Sequence, residues 1–297
     1  MGVTLGHNQY GKDQIRVVRV LRDSEPHTLV DYNVDVRLVG DFDAAHLEGD
    51  NSNVVPTDTA KNTVFAHAAD DAVVTQPESF GLALAHHFVD HIAPVSQARI
   101  SLELYPWLRL THGGAPHPHA FARSGAHVRT ATVTYDGTDT WVVSGVTGLT
   151  VLKTTDSAFE GFYTDRYTTL QPAADRILAT SITAQWWHGR PDRDWQRSFD
   201  TVLDALLDTF AGHHSKALQQ TAWLMGEAAL TADPDINELR MTCPNAHHFL
   251  YDLQKVGIDN PGLVFHADDR PYGLIEGAVH RDDAPDAGPA FDPGQGW

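Results

Sequence analysis

Ile15-Arg-Val-Val-Arg-Val-Leu21 is followed by Tyr32-Asn-Val-Asp-Val-Arg-Leu38, and both stretches set apolar side chains against polar neighbours. A period of two marks half-buried strands, so the chain opens on two of them. Thr57-Asp-Thr-Ala-Lys-Asn-Thr-Val-Phe65 then reads as a capped helix start, with Thr57 or Asp58 supplying the cap. Pro77-Glu-Ser-Phe80 opens a second helix, with Phe80, Leu84, Phe88 and Ile92 in one apolar stripe. Ile100, Leu102 and Leu104 alternate again, as do Val128, Thr130, Thr132 and Thr134 more weakly, before the turn Tyr135-Asp-Gly-Thr-Asp139. The first half therefore reads ββααββ.

The same order recurs after that turn. Trp141-Val-Val-Ser-Gly-Val146 with Leu149-Thr-Val-Leu152 forms a long strand, and Leu178, Thr180, Ile182, Ala184 and Trp186 alternate in the next. Phe199, Val202, Leu203, Leu206, Leu207 and Phe210 give a strongly amphipathic helix, and a second helix covers 217–230. Strands are expected at Glu238-Leu-Arg-Met-Thr242, at His248-Phe-Leu-Tyr-Asp-Leu253 and near Gly273-Leu-Ile-Glu-Gly-Ala-Val279. The fold class is α+β, with antiparallel sheets carrying helix pairs on one face, duplicated in tandem. The expected boundaries are 1–138 and 139–280, and the Asp-, Pro- and Gly-rich stretch 281–297 is expected to be a flexible tail. Such sheets leave edges that oligomerisation would cover.

Composition narrows the function. The chain has 297 residues, 42% of them hydrophobic, enough for one large core or two medium ones. No apolar run approaches the roughly 20 residues needed to span a bilayer. The segment from Met1 to Asn8 has neither a basic nor an apolar leader region, which points to the cytoplasm. Cys243 is the only cysteine, which excludes an intrachain disulfide and a cysteine-based zinc site within one chain. A formal charge of −18, with no basic cluster to offset it, argues against nucleic acid as a partner. Asp greatly outnumbers Glu, and five lysines stand against 16 arginines, which suggests a high-salt or high-GC source.

The most informative chemistry lies in Gly148-Leu-Thr-Val-Leu-Lys-Thr-Thr-Asp-Ser-Ala-Phe-Glu-Gly-Phe162, continued by Asp165-Arg-Tyr-Thr-Thr-Leu-Gln171 and Asp175-Arg-Ile-Leu178. Phe159 and Arg176 flank one polar, Gly-punctuated loop, so an aromatic face and a planar cationic fork can converge on a planar anion. Four further segments stand in order along the chain: Tyr10-Gly-Lys-Asp13, Val55-Pro-Thr-Asp-Thr-Ala-Lys-Asn-Thr63, Ser215-Lys-Ala-Leu-Gln-Gln-Thr221 and Pro244-Asn-Ala-His-His-Phe249. Together these five motifs resemble the urate oxidase family.

The resemblance implies the tunnelling fold, in which two such domains per chain assemble as a homotetramer whose sheets form a barrel, with active sites at subunit interfaces. It implies oxidation of urate by O2 to 5-hydroxyisourate and H2O2, with no metal and no organic cofactor. Lys12, Thr57 and His247 match the family's catalytic relay. Lys12 is the general base, and it stands in a chain that otherwise prefers arginine, whose charge cannot be released at a useful pH. Thr57, Asp58, Phe159, Arg176, Leu218, Gln219 and Asn245 match the substrate-binding positions. Leu218 stands where many members have Val, a change of little consequence because that contact is made by the backbone N–H. The resemblance also implies that Lys12 and Thr57 come from one chain and the rest from its neighbour.

Three rivals remain at this level. His87-Phe-Val-Asp-His91 has the i, i+4 spacing of a zinc helix, but lacks the following Glu, and neither it nor His112, His117 and His119 brings a convincing third ligand. Cys243 with His247 superficially suggests thiol catalysis, although they stand four positions apart on strand-like backbone. A catalytically silent member that only binds a purine or pterin is the remaining alternative, and the intact set of candidate residues argues against it.

Overall fold

The structure, a computed structural model, describes residues 2–22, 25–125 and 127–291. Its elements run β1 (Tyr10–Leu21), β2 (Thr28–Gly40), α1 (Asp43–Leu47), α2 (Thr57–His67), α3 (Asp71–Val74), α4 (Pro77–His91), β3 (Val95–Leu104), β4 (Trp107–His112), β5 (Ala115–Arg123) and β6 (Val128–Tyr135). They continue with β7 (Thr140–Lys153), β8 (Leu178–His188), α5 (Trp195–Gly212), α6 (Leu218–Ala232), β9 (Ile236–Leu250), a 3-10 turn (Leu253–Val256) and β10 (Phe265–His280). The ββααββ repeat is present in both halves. The first half also carries α1, α3 and the β4–β5 hairpin, none of which the apolar periodicity revealed.

The chain divides into two compact units, the first comprising Met1–Gly145, Trp186–Phe199 and the chain from Ala284, the second Val146–Gln185 and Asp200–Asp283. This differs from the single cut expected after residue 138. β7 and β8 are long strands, and each runs from one unit into the other.

In the first unit the strands lie in the order β1-β2-β3-β6-β7, with antiparallel pairing of β1 with β2, β2 with β3 and β3 with β6. Val30, Tyr32, Val34, Val36 and Leu38 are all buried, as period two requires, and they share one core with Phe80, Leu84 and Phe88 of α4. Ile92, expected in that stripe, is only partly buried because the helix has already ended at His91. A buried polar chain crosses this core. Glu78 receives Arg129 Nη2 at 2.8 Å and the Ser144 hydroxyl, while Ser144 Oγ lies 2.8 Å from His188 Nε2. Both members of the Glu78–Arg129 pair are buried, so removing either partner alone would cost about 3–5 kcal/mol.

The second unit orders its strands β7-β8-β9-β10, with α6 packed on β9 and β10. Phe199, Val202, Leu206 and Phe210 of α5 are buried as expected, whereas Leu207 is exposed at the margin of the stripe. The two strands expected at 238–242 and 248–253 are one: β9 runs unbroken from Ile236 to Leu250, and Leu253 falls in the 3-10 turn. Each half brings a helix close to its sheet through a glycine. A Cβ on Gly81 would lie 2.7 Å from Val133 Cγ2, and one on Gly226 would lie 2.6 Å from Val279 Cγ2.

The expected flexible tail needs correction over 281–291. Arg281 Nε donates to Ile236 O at 2.7 Å, Arg99 Nη1 donates to Pro289 O at 2.8 Å, and Ala290 is buried against Trp141, Val143 and Trp187. The Asp, Pro and Gly content concealed the few side chains, Ala287, Ala290 and Phe291, that dock it. Residues 292–297 lie outside the described residues. Among the described residues no helix is long and apolar enough to cross a membrane.

Candidate functional site

Lys12, Thr57 and Asp58 belong to the first unit. Lys12 lies opposite Val36 in the β1–β2 ladder, at the point where the register slips before Ile15. The residue before it must be glycine, since a Cβ on Gly11 would sit 1.7 Å from the Val36 carbonyl oxygen. Beyond Lys12 the bulge is pinned by side chains. Gln14, at φ 59°, donates its N–H to Asp35 Oδ1 at 2.6 Å, and the Asp13 carboxylate pairs with Arg37, whose Nη2 lies 2.7 Å from Oδ2. Burial pushes the Asp35 carboxyl up, and the Gln14 N–H partly offsets this.

Thr57 is the exposed first residue of α2, and the N-cap is Pro56, with no side-chain capping bond. The expected cap from Thr57 or Asp58 is therefore corrected. The Asp58 carboxylate is instead taken up one turn on by Lys61 and by Asn62 Nδ2 at 3.0 Å. Lys61 holds the Asp58 carboxyl below the usual range, with smaller help from Asn62 and from the charge of Lys12, which links two of the candidates electrostatically.

Phe159, Arg176, Leu218, Gln219, Asn245 and His247 belong to the second unit. Phe159 exchanges backbone hydrogen bonds with Ala173 at 2.8 and 3.0 Å, and Arg176 N–H donates to Ser157 O at 2.7 Å. This pairing brings the two side chains together, with the guanidinium carbon 5.1 Å from the Phe159 ring centroid. Arg176 Nε is buried and has no hydrogen-bond partner among the described residues. Burial lowers the guanidinium pKa, so its charge is held at a desolvation cost. Such a cation, with its Nε–H left without a partner among the described residues, is suited to a planar anion. Phe162 stacks on Phe159 with centroids 5.0 Å apart and 17° between planes, backing the aromatic platform. The sequence signal for this backing is the Phe-x-x-Phe spacing of Phe159 and Phe162.

Leu218 and Gln219 open α6. The N-cap is Ala217, which makes no side-chain cap, so the first-turn N–H groups lack intrahelical acceptors and the helix presents its positive end there. Leu218 is buried and Gln219 exposed. Gln219 also borders a cavity of about 180 Å3 lined with Trp223, Met241 and Ile275. A larger hollow of about 620 Å3, lined by Asp208, His213 and Glu227, contains none of the candidates. Asn245 and His247 lie two residues apart on β9, on the same strand face as Met241 and Cys243, because side chains alternate along a strand. The β9–β10 register slips between Asp268 and Gly273, the partners of His247 and Asn245. His247 stacks on Phe249 at 5.6 Å.

The chemical rivals fare poorly. Cys243 is buried, its thiol pushed up to about 11 by desolvation, and His247 stands four positions further along the strand, about 13 Å away. A buried thiol with a raised pKa is a poor nucleophile. His87 stacks edge-on with His67 at 4.7 Å and with His91 at 5.5 Å, but among the described residues no group of three or more metal-ligating side chains is arranged to hold an ion.

A family model described as "Uricase" matches residues 8–134 and 142–276. The chain belongs to the uricase family. It is 47% identical over 280 residues to the uricase of Arthrobacter globiformis, covering 94% of this chain and 91% of that one. It is also 35% identical to that of Dictyostelium discoideum, covering 94% and 98%. A crystal structure of the Arthrobacter uricase superposes with a TM-score of 0.91 at 46% identity, covering 96% of this chain and 97% of the other. Every candidate in both units falls within the residues matched by the uricase model. The tunnelling fold of the uricases is thus the fold of this chain.

Proposed function

We propose that this chain is a urate oxidase. The overall step is urate + O2 + H2O → 5-hydroxyisourate + H2O2, run without metal or organic cofactor. The observation that carries the reading is the Arg176 guanidinium, half-buried over Phe159 with no partner at Nε among the described residues, in a chain of the uricase family.

In this reading Arg176 grips the urate carbonyl and ring nitrogen with its fork, Gln219 takes the opposite edge, and Phe159 stacks on the ring. Each such contact is worth about 1–3 kcal/mol by analogy with base recognition. The uncapped start of α6 adds the Leu218 N–H as a donor to the anion. Lys12 receives a proton from urate through the Thr57 hydroxyl, and His247 extends the relay. A hydroxyl serves here because it donates and accepts at once. Asp58 lies beside Thr57 at the helix start. The dianion passes electrons to O2 held above the ring near Asn245, and the oxidised ring is hydrated as peroxide leaves. Positioning and proton transfer are all the protein must supply, since fully deprotonated urate is readily oxidised.

We further propose a cytoplasmic homotetramer in which Lys12, Thr57 and Asp58 of one chain serve the second-unit residues of its neighbour. Exposed Phe249, Leu250, Tyr251, Leu263 and Leu274 support burial against another copy. The test is loss of urate absorbance with peroxide release in the presence of EDTA, at low and high KCl. Binding of urate without turnover under every condition would leave a silent purine binder. Sedimentation velocity tests the assembly, and an active monomer would contradict it.

A further inference from the structure

The three second-unit elements that carry Phe159, Arg176 and Gln219 are separate in sequence, and two carboxylates tie them together. Asp175 accepts the Thr155 hydroxyl at 2.5 Å and the Ser157 N–H at 3.2 Å. These bonds, with the backbone N–H groups of Asp156 and Arg176, hold its carboxyl below the usual range. They lock the 155–159 loop against the segment that presents Arg176. Asp156, in the left-handed region at φ 64°, reaches the other way. Its carbonyl accepts the Ser215 N–H at 3.0 Å, and its Oδ1 lies 2.6 Å from His214 Nδ1.

The seam between these segments is buried and polar. Ala158 N–H donates to Ser215 O at 2.7 Å, and the Ser157 and Ser215 side chains are fully buried. Ser215 Oγ lies 2.8 Å from Thr221 Oγ1, which lies 3.0 Å from His213 Nε2, while His213 Nδ1 lies 2.6 Å from Thr209 O. A His213 Nδ1–H donating to that carbonyl leaves Nε2 to accept the Thr221 hydroxyl, so the chain is satisfied in one direction from Ser215 to α5. Thr221 sits in the first turn of α6, two residues beyond Gln219. The seam thus joins the platform loop, the cation and the helix start.

We propose that Asp175 and the Asp156–His214 pair are positioning residues for the substrate: a clasp that sets the placement of Phe159 and Arg176 against each other and against the start of α6. None of the three needs to touch the substrate. Their effect passes through backbone register, where a shift of about 1 Å is enough to lose a well-aligned contact. Asp156 holds a left-handed backbone while its carboxylate reaches His214, far along the chain, which makes the position informative to mutate.

This inference rests on the urate oxidase reading, and the experiment separates the two. Asp175→Asn, Asp175→Ala and Asp156→Gly are assayed beside the parent for KM and kcat with urate, for Kd with xanthine as a non-reacting purine, and for Tm. Asp156→Gly accepts the left-handed backbone without strain while removing the side chain and its carboxylate, so it guards against variants that fail to fold. The expected result for Asp175→Ala and Asp156→Gly is a tenfold or greater rise in both KM and xanthine Kd, with kcat reduced less than threefold. Asp175→Asn, which keeps one acceptor, falls between. Unchanged KM and Kd in variants of an active parent, even with a lowered Tm, would reduce the clasp to a structural element and overturn the proposal. A parent that neither oxidises urate nor binds xanthine overturns the functional reading beneath it.

Discussion

Arg176 holds its guanidinium carbon 5.1 Å from the centroid of the Phe159 ring, and its Nε is buried with no partner among the described residues. Desolvation disfavours its charged form, and among the described residues no ion pair offsets that cost. In the proposed function, a charge-assisted fork on a flat anion would supply what is missing.

Arg176→Lys keeps the charge and loses the planar fork. KM for urate should rise about 5- to 150-fold, the equivalent of about 1–3 kcal/mol, with a smaller change in kcat. Steady-state kinetics reads both, and an unchanged KM would remove Arg176 from the substrate contacts.

Lys12→Met should lower kcat by about 10²–10⁴ while leaving xanthine binding within threefold, because a proton relay acts on turnover and not on the affinity of the ring. Turnover close to that of the parent would end the relay assignment.

Gly11→Ala forces a Cβ to within 1.7 Å of the Val36 carbonyl oxygen, so the β1–β2 ladder beside Lys12 must part. A loss of about 1–3 kcal/mol in denaturant unfolding is expected. Gly277→Ala is the control: nothing lies within 4 Å of its Cβ, and it should be near neutral.

His87 is held below the usual histidine pKa, chiefly by burial and then by His67 on α2 and His91 on its own helix. The unfolded chain therefore takes up a proton before the folded one does. Stability should be full above about pH 6.5 and fall as pH drops from there through the folded pKa. His87→Gln should flatten that part of a Tm-against-pH curve, and a slope identical to the parent's would show that other groups produce it.

Much of the fold was legible from side-chain periodicity. Tyr32, Val34, Val36 and Leu38 alternate because one face of β2 must be buried, and Phe80, Leu84 and Phe88 recur because α4 lies on that face. What escaped had no apolar rhythm. The hairpin from Trp107 to Arg123 carries mostly half-exposed or exposed residues, including three histidines and two prolines. β9 looked like two strands because Pro244, Asn245 and His247 interrupt its apolar alternation, and the strand nevertheless runs on to Leu250, its pairing with β10 resuming at His247 after a slip in register. The packed segment ending at Phe291 was masked by composition, since a few buried side chains suffice to dock it.

The sequence by itself determined the repeat, the family and the identities of the candidate residues, because those depend on residue type and order along the chain. Only the tertiary structure decided that Arg176 lies over Phe159 with an uncommitted Nε, that Thr57 starts its helix uncapped, and that Asp156 and Asp175 bind three distant segments into one seam. Apart from the start of α2, these are relationships between parts of the chain separated in number. They arise when backbone N–H and C=O groups removed from water find partners across the fold, a demand that no local pattern of side chains records.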